Sequence, residues 1–129
     1  MKYIKAKVRY LNAMQDGFIT STFYVNAYSF TEAEQKLVKH VGEDEYEIKS
    51  MGWVEFGETH IKCDGEDFFK VTLQSSVVNE ITGKVKKSKY TMLYEGKDAT
   101  EVSCVVEKSM YNTDEILRVE KLDVSMIIN

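Results

Sequence analysis

The feature that most constrains this chain is that its first half is written again, in altered form, in its second. Ile4, Ala6, Val8 and Tyr10 alternate with Tyr3, Lys5, Lys7 and Arg9. At an offset of 65, Phe69, Val71 and Leu73 alternate with Lys70, Thr72 and Gln74. This is the period-two pattern of a half-buried strand. At an offset of 66, Gly83 matches Gly17, Tyr90 matches Tyr24, Tyr94 matches Tyr28 and Ala99 matches Ala33. At an offset of 71, "LRVEKL" (117–122) matches "YEIKSM" (46–51). An offset that only grows along the chain is what loop insertions in a duplicated unit produce.

Each copy reads strand, hairpin, strand, helix, strand. Gln15, Asp16 and Gly17 form the first turn, since Asp-Gly favours a reversal with positive φ. "FITSTFYVNA" is rich in β-branched and aromatic residues and returns as a strand. In "AYSFTEAEQKL", Ser29 and Glu32 have the spacing of a capping box, each side chain bonding the other's amide; Thr31 and Glu34 repeat the spacing two residues on. Ala33, Leu37 and Val41 then share one helix face, and Gly42 ends the helix. In the second copy Asp98 and Glu101 rebuild the cap, and Val102, Val105 and Val106 form the buried face. Ser29 and Glu32 are therefore read as a helix start, not as a reactive pair.

The expected fold is α+β: two tandem ββαβ repeats, about residues 1–56 and 68–127, joined by a connector at 57–67. The sheet is expected to be mainly antiparallel, with two helices on one face. A unit of about 60 residues is marginal alone, so 1–129 is read as a single domain. Proline is absent, so no Pro-rich linker divides the chain.

Formal charge is −4, which argues against general affinity for nucleic acid. The charge tracks the repeat, however. Residues 1–25 carry +3 and 68–97 carry +4, while 32–67 carry −7 and 98–129 carry −4. Both hairpins are basic. Lys5, Lys7, Arg9, Lys84, Lys86, Lys87, Lys89 and Tyr90 are thus candidates for holding phosphate or another anion, with Tyr3 and Tyr24 as further rings. A basic, aromatic-bearing sheet face is how several single-strand binders work. Lysines at strand edges also prevent sheet-to-sheet aggregation, and a basic face beside acidic parts suits a protein partner or self-assembly. Trp53 and Phe56 are candidates for an apolar protein contact.

Catalytic constellations are missing. There is no G-x-G-x-x-G, P-loop, H-E-x-x-H or G-x-S-x-G. His40 falls near a helix end, where a cation complements the dipole. His60 and Cys63 are the only close His/Cys pair, too few ligands for zinc, and Cys63 and Cys104 make no disulfide framework. Asp64, Glu66 and Asp67 lack the spacing of a calcium loop. No enzymatic activity, cofactor or metal is expected. No apolar run approaches the length of a membrane span, and "MKYIKAKVRY" reads as a strand rather than a signal peptide.

The arrangement "FYVNAYSFTEAEQKL" followed by "DFFKVTL" and "TGKVKKSKYTMLYEGKDATE" resembles a family of small proteins of Bacteroidetes and their phages, catalogued as domain of unknown function 4494. Glu95 and Gly96 depart from the motif where the first half has Ser29 and Phe30. The resemblance implies a cytoplasmic accessory protein of a phage or mobile element, with no activity to transfer. The expectation is a non-catalytic intracellular binding protein whose partner is another protein, a host factor or a second copy. The alternatives are single-stranded nucleic acid held by the basic hairpins, and sequestration of a small anionic nucleotide.

Overall fold

The computed structural model describes residues 2–12, 17–42, 45–62, 65–110 and 114–129. The expected turn at 15–16, and Cys63 and Asp64, lie outside them. The fold is mixed α+β, with eight strands and two helices among the described residues. The chain divides into two compact units, one of residues 2–55 with 123–129, the other of residues 56–122.

The first unit contains β1 (Lys2–Asn12), β2 (Gly17–Val25), α1 (Phe30–Val41) and β3 (Tyr46–Glu55), and takes β8 (Met126–Ile128) from the chain's far end. Its sheet runs β3-β1-β2-β8. The second contains β4 (Glu58–His60), β5 (Asp67–Val78), β6 (Val85–Gly96), α2 (Ala99–Ser109) and β7 (Glu115–Lys121). Its sheet runs β7-β5-β6-β4. The three long strands of each sheet pair antiparallel, while the short edge strands β8 and β4 pair parallel to β2 and β6.

The two units agree in detail. β1 against β3 slips register between Lys7 and Val8, and β5 against β7 slips between Thr72 and Leu73, 65 residues on. The amide of Ser125 donates to the carbonyl of Thr22 at 2.8 Å, and that of Gly57 to Thr91 at 2.7 Å. Ser29 Oγ accepts from the Glu32 amide at 3.1 Å, and Asp98 Oδ1 from the Glu101 amide at 2.8 Å. The glutamates reach one residue further back than the expected box: Glu32 accepts from the amide of Tyr28 and Glu101 from that of Lys97. The expected Thr31–Glu34 cap is not used, and Glu34 instead accepts from the Tyr46 hydroxyl at 3.2 Å.

These registers correct the expected correspondences. Leu93, not Tyr90, stands where Tyr24 does, Lys97, not Tyr94, where Tyr28 does, Lys86, not Gly83, where Gly17 does, and Val102, not Ala99, where Ala33 does. The last strands match at an offset of 68, Ser50 with Arg118 and Gly52 with Glu120, instead of 71. For β6 and α2 the cause is a second hairpin four residues longer, which takes the offset from 65 to 69; for the last strands it is the register slip. A bulge residue, Lys49 in β3 and Leu117 in β7, breaks the alternation, so a face-matched comparison of the two sequences slides.

Each helix covers one face of its own sheet. Ile4, Ala6, Val8, Phe23, Val25 and Ala27 pack with Ala33 and Leu37 of α1. Phe69, Val71, Leu73 and Tyr94 pack with Val102 and Val106 of α2. Contact between helix and strand end is made in two ways. Ala27 and Ala33 serve in the first unit; in the second Gly96 meets the larger Val102, and a Cβ on Gly96 would lie 2.6 Å from Val102 Cγ2.

Candidate partner-binding surfaces

Pleating sends alternate residues of β1 to opposite faces. Ile4, Ala6 and Val8 face α1, so Lys5, Lys7 and Arg9 are exposed on the other side. The Arg9 guanidinium lies 4.3 Å over the Phe18 ring; Glu47, opposite Arg9 in register, pairs with Lys49 at 3.2 Å. Tyr3 and Tyr24 stack at 6.1 Å, but each is only 3% exposed. Burial also raises the pKa of Tyr24. Neither ring is open to a nucleobase.

The second hairpin is a projecting arm. β7 pairs with β5 only as far as Gln74, and β4 with β6 only from Met92. Ser75–Val78 and Val85–Ser88 therefore pair with each other alone. The tip is well tied: Asn79 Oδ1 accepts from the amides of Ile81 and Thr82, the Gly83 amide donates to Asn79 O, and Gly83 takes φ +72°. This rigid turn holds Ile81 95% exposed, with Val77, Val78 and Val85 exposed behind it. Lys87 and Lys89 emerge on one face of β6 and Lys86 on the other, with Lys84 in the turn. Among the described residues none of these four ammonium groups has an ion-pair partner.

Tyr90 stands apart from this group. Its ring packs against the second unit's core and its hydroxyl donates to Asp114 Oδ2 at 2.5 Å. Burial, and then the Asp114 carboxylate, push its pKa up to about 12.

Trp53 is 51% exposed and stacks on Phe30, the first residue of α1, at 5.9 Å; Tyr28 beside the cap is 94% exposed. Phe56 is 1% exposed, which corrects its expected place beside Trp53 on an accessible surface. The acidic balance of residues 32–67 does not lie in α1. α1 carries Glu32, Glu34, Lys36, Lys39 and His40, and Glu32 pairs with Lys36 at 3.3 Å. The negative charge of that half resides in its connectors and last strand.

The second unit also holds a cleft of about 320 Å³ that sequence reading did not find. It is lined by His60, Ile61 and Lys62 after β4, by Tyr94, Glu95 and Gly96 ending β6, and by Glu101, Val102 and Val105 of α2. The His60 ring lies on Tyr94 with centroids 4.4 Å apart and planes 15° from parallel, and Glu58 holds His60 Nε2 at 3.3 Å. Lys62 lies 3.4 Å from Glu101 and 3.9 Å from Glu66. Glu66 Oε2 is buried with no hydrogen-bond partner among the described residues. In the first unit the same positions are Ile128 for His60, Val25 for Tyr94, Asn26 for Glu95 and Lys36 for Val105. There Lys36 Nζ donates to the Asn26 carbonyl at 2.5 Å. The first unit's concavity beside Ile128, about 340 Å³, is thus lined by Lys36, Lys39, His40 and Asn129, where the second unit's has the apolar Val105.

The family model described as Domain of unknown function (DUF4494) matches residues 2–129. The chain belongs to the DUF4494 family. No curated protein and no solved structure matches it.

In this DUF4494 chain, the structure brings Lys5, Lys7 and Arg9 together in one unit and Lys84, Lys86, Lys87 and Lys89 together in the other. Tyr90 and Phe56 belong to neither exposed group. Among the described residues no three His, Cys, Asp or Glu side chains gather as metal ligands. No helix among them is long and apolar enough to cross a membrane.

Proposed function

We propose that this DUF4494 chain is a non-catalytic binding module whose contact element is the β5–β6 arm and whose partner is another protein. The observation that carries the reading is Ile81. A large aliphatic side chain held 95% in water on a fully hydrogen-bonded turn, with three exposed valines behind it, costs solubility unless something covers it. The lysines around it, without ion-pair partners among the described residues, select a partner with carboxylates and raise the encounter rate. Agreement of the two units in register and capping supports descent from one duplicated ββαβ module. The exposed free thiol of Cys104 suits a reducing cell interior, as the phage or mobile-element context of the resemblance requires.

Single-stranded nucleic acid is the second reading, favoured by the same lysines. It lacks its stacking platform, since Tyr3 and Tyr24 are buried and Tyr90 is held by Asp114. A small anionic nucleotide suits the carboxylate-lined cleft worse still.

The test is affinity capture with the wild-type protein, Ile81→Glu, and a variant with Lys84, Lys86, Lys87 and Lys89 all changed to Gln, beside a fluorescent single-stranded oligonucleotide titration. The reading expects a protein partner lost from both variants and negligible oligonucleotide binding. Equal recovery by all three, or tight oligonucleotide binding that weakens steeply with salt, overturns it.

A further inference from the structure

We infer that the β5–β6 arm of one copy docks in the β4–β6–α2 cleft of a second copy, so that the protein assembles head to tail. This rests on the reading of the arm as a protein-binding element and names its partner. The two surfaces complement each other. The arm offers Ile81, Val77, Val78 and Val85 among its lysines. The cleft offers Ile61, Tyr94, Val102 and Val105 as an apolar lining. Glu101 lines it, and Glu58 and Glu66 lie beside its lining residues His60 and Lys62, three carboxylates to the one ammonium of Lys62. Glu58, its side chain 66% exposed beside His60, is the carboxylate an arriving lysine meets. A cleft of about 320 Å³ admits the Ile81 side chain and part of its turn, not a whole strand.

Geometry excludes an arm entering its own cleft. Both features belong to the second unit, and β6 runs from the arm at Val85 to the cleft at Gly96. The eleven steps along this twelve-residue strand, at about 3.3 Å each, put them about 36 Å apart, at its opposite ends. A donor and an acceptor on opposite ends make a heterologous contact, which propagates into a chain of subunits unless the rotation closes a ring. In the first unit β3 supports the hairpin up to Tyr10, and the matching concavity is lined by Lys36 and Lys39, whose ammonium groups repel an incoming lysine.

The experiment is light scattering and sedimentation velocity of the full chain across a concentration series, with Ile81→Glu and Val105→Lys. Ile81 is on the surface, and lysine already occupies the position of Val105 in α1, so both variants fold; circular dichroism melts verify this. Wild type is expected to grow in mass with concentration, less so at high salt, and each variant is expected to stay monomeric. A mixture of the two variants is expected to form dimers and nothing larger, because the Val105→Lys chain keeps a working arm and the Ile81→Glu chain a working cleft. Wild type that stays monomeric, or a mixture that stays monomeric while wild type assembles, overturns the docking. If wild type stays monomeric yet captures another protein through Ile81, the docking fails and the proposed function stands. If capture is also indifferent to Ile81, both fail.

Discussion

The amide of Asn26 donates to the carbonyl of Ile128 at 2.8 Å, joining the end of the chain to a strand that closed before the first helix began. Its counterpart is β4 on β6, where His60 stands opposite Tyr94. Each short edge strand follows the long strands of one unit and completes the sheet of the other. Strand exchange of this kind is how two swapped copies of a ββαβ module would look once fused into one chain.

Removing Met126–Asn129 tests this. Ile128 packs against the first unit's core, and β8 shields β2 from solvent. Loss of two partly buried isoleucines with the three strand residues of β8 is expected to cost the first unit about 2 kcal/mol. Hydrogen exchange reads where: amides of Phe23–Val25 lose protection, while Phe69–Leu73 in the other sheet keep theirs. Uniform loss in both sheets would contradict the separate placement of the two edge strands.

Gly96 and Val102 divide one volume between them, as Ala27 and Ala33 do in the other unit. Gly96→Ala puts a methyl 2.6 Å from Val102 Cγ2 and is expected to destabilise by about 1–3 kcal/mol. Adding Val102→Ala recreates the first unit's pair and is expected to recover part of the loss. A double-mutant cycle in urea measures it. Additive costs would mean that the contact is not the cause.

The caps were legible because capping is local: Ser29 with Glu32 and Asp98 with Glu101 each lie within four residues, and the cap itself needs no partner from elsewhere in the chain. The last strands were legible in type but not in register, because the bulges at Lys49 and Leu117 turn each strand over midway. β4 and β8, three residues each, carry no periodicity of their own, and their partners lie more than thirty residues away in sequence for β4 and about a hundred for β8. The cleft joins residues 60–62 to 94–105 by folding alone. Its one sequence signal is that Val105 replaces Lys36, visible only once the helices are aligned by their caps instead of by Ala33 and Ala99.

Glu32 couples the first helix to pH. The hydrogen bond from the Tyr28 amide, and then the Lys36 ammonium, hold its carboxyl below its ordinary value. A folded-state pKa below the unfolded one adds stability above the unfolded value, and that stability is lost as pH falls through the folded value. Acidification below the ordinary range of a glutamate is therefore expected to loosen the start of α1. Carbon-detected NMR titration of the Glu32 carboxyl reads it, and Glu32→Gln is expected to abolish the effect. A Glu32 titrating at or above its ordinary value would refute it.

Tyr90 predicts the opposite limb of the pH profile. Burial and the Asp114 carboxylate raise its phenol to about 12, above its ordinary value of 10.0. A raised folded-state pKa contributes stability that is whole below pH 10 and lost as pH rises towards 12. Tyr90→Phe removes a hydrogen bond to a charged acceptor and is expected to cost about 1.5–3 kcal/mol at neutral pH. It leaves Asp114 near the surface, where water can replace the hydroxyl, so the lower figure is the better guide. Asp114→Asn keeps the burial but not the charge, and is expected to bring the phenol part of the way back. Phenolate absorbance against pH separates the cases: the latest-titrating tyrosine should vanish in Tyr90→Phe and move earlier in Asp114→Asn. If it does neither, the hydroxyl is not held by Asp114, and the ring at the base of the arm is freer than its geometry states.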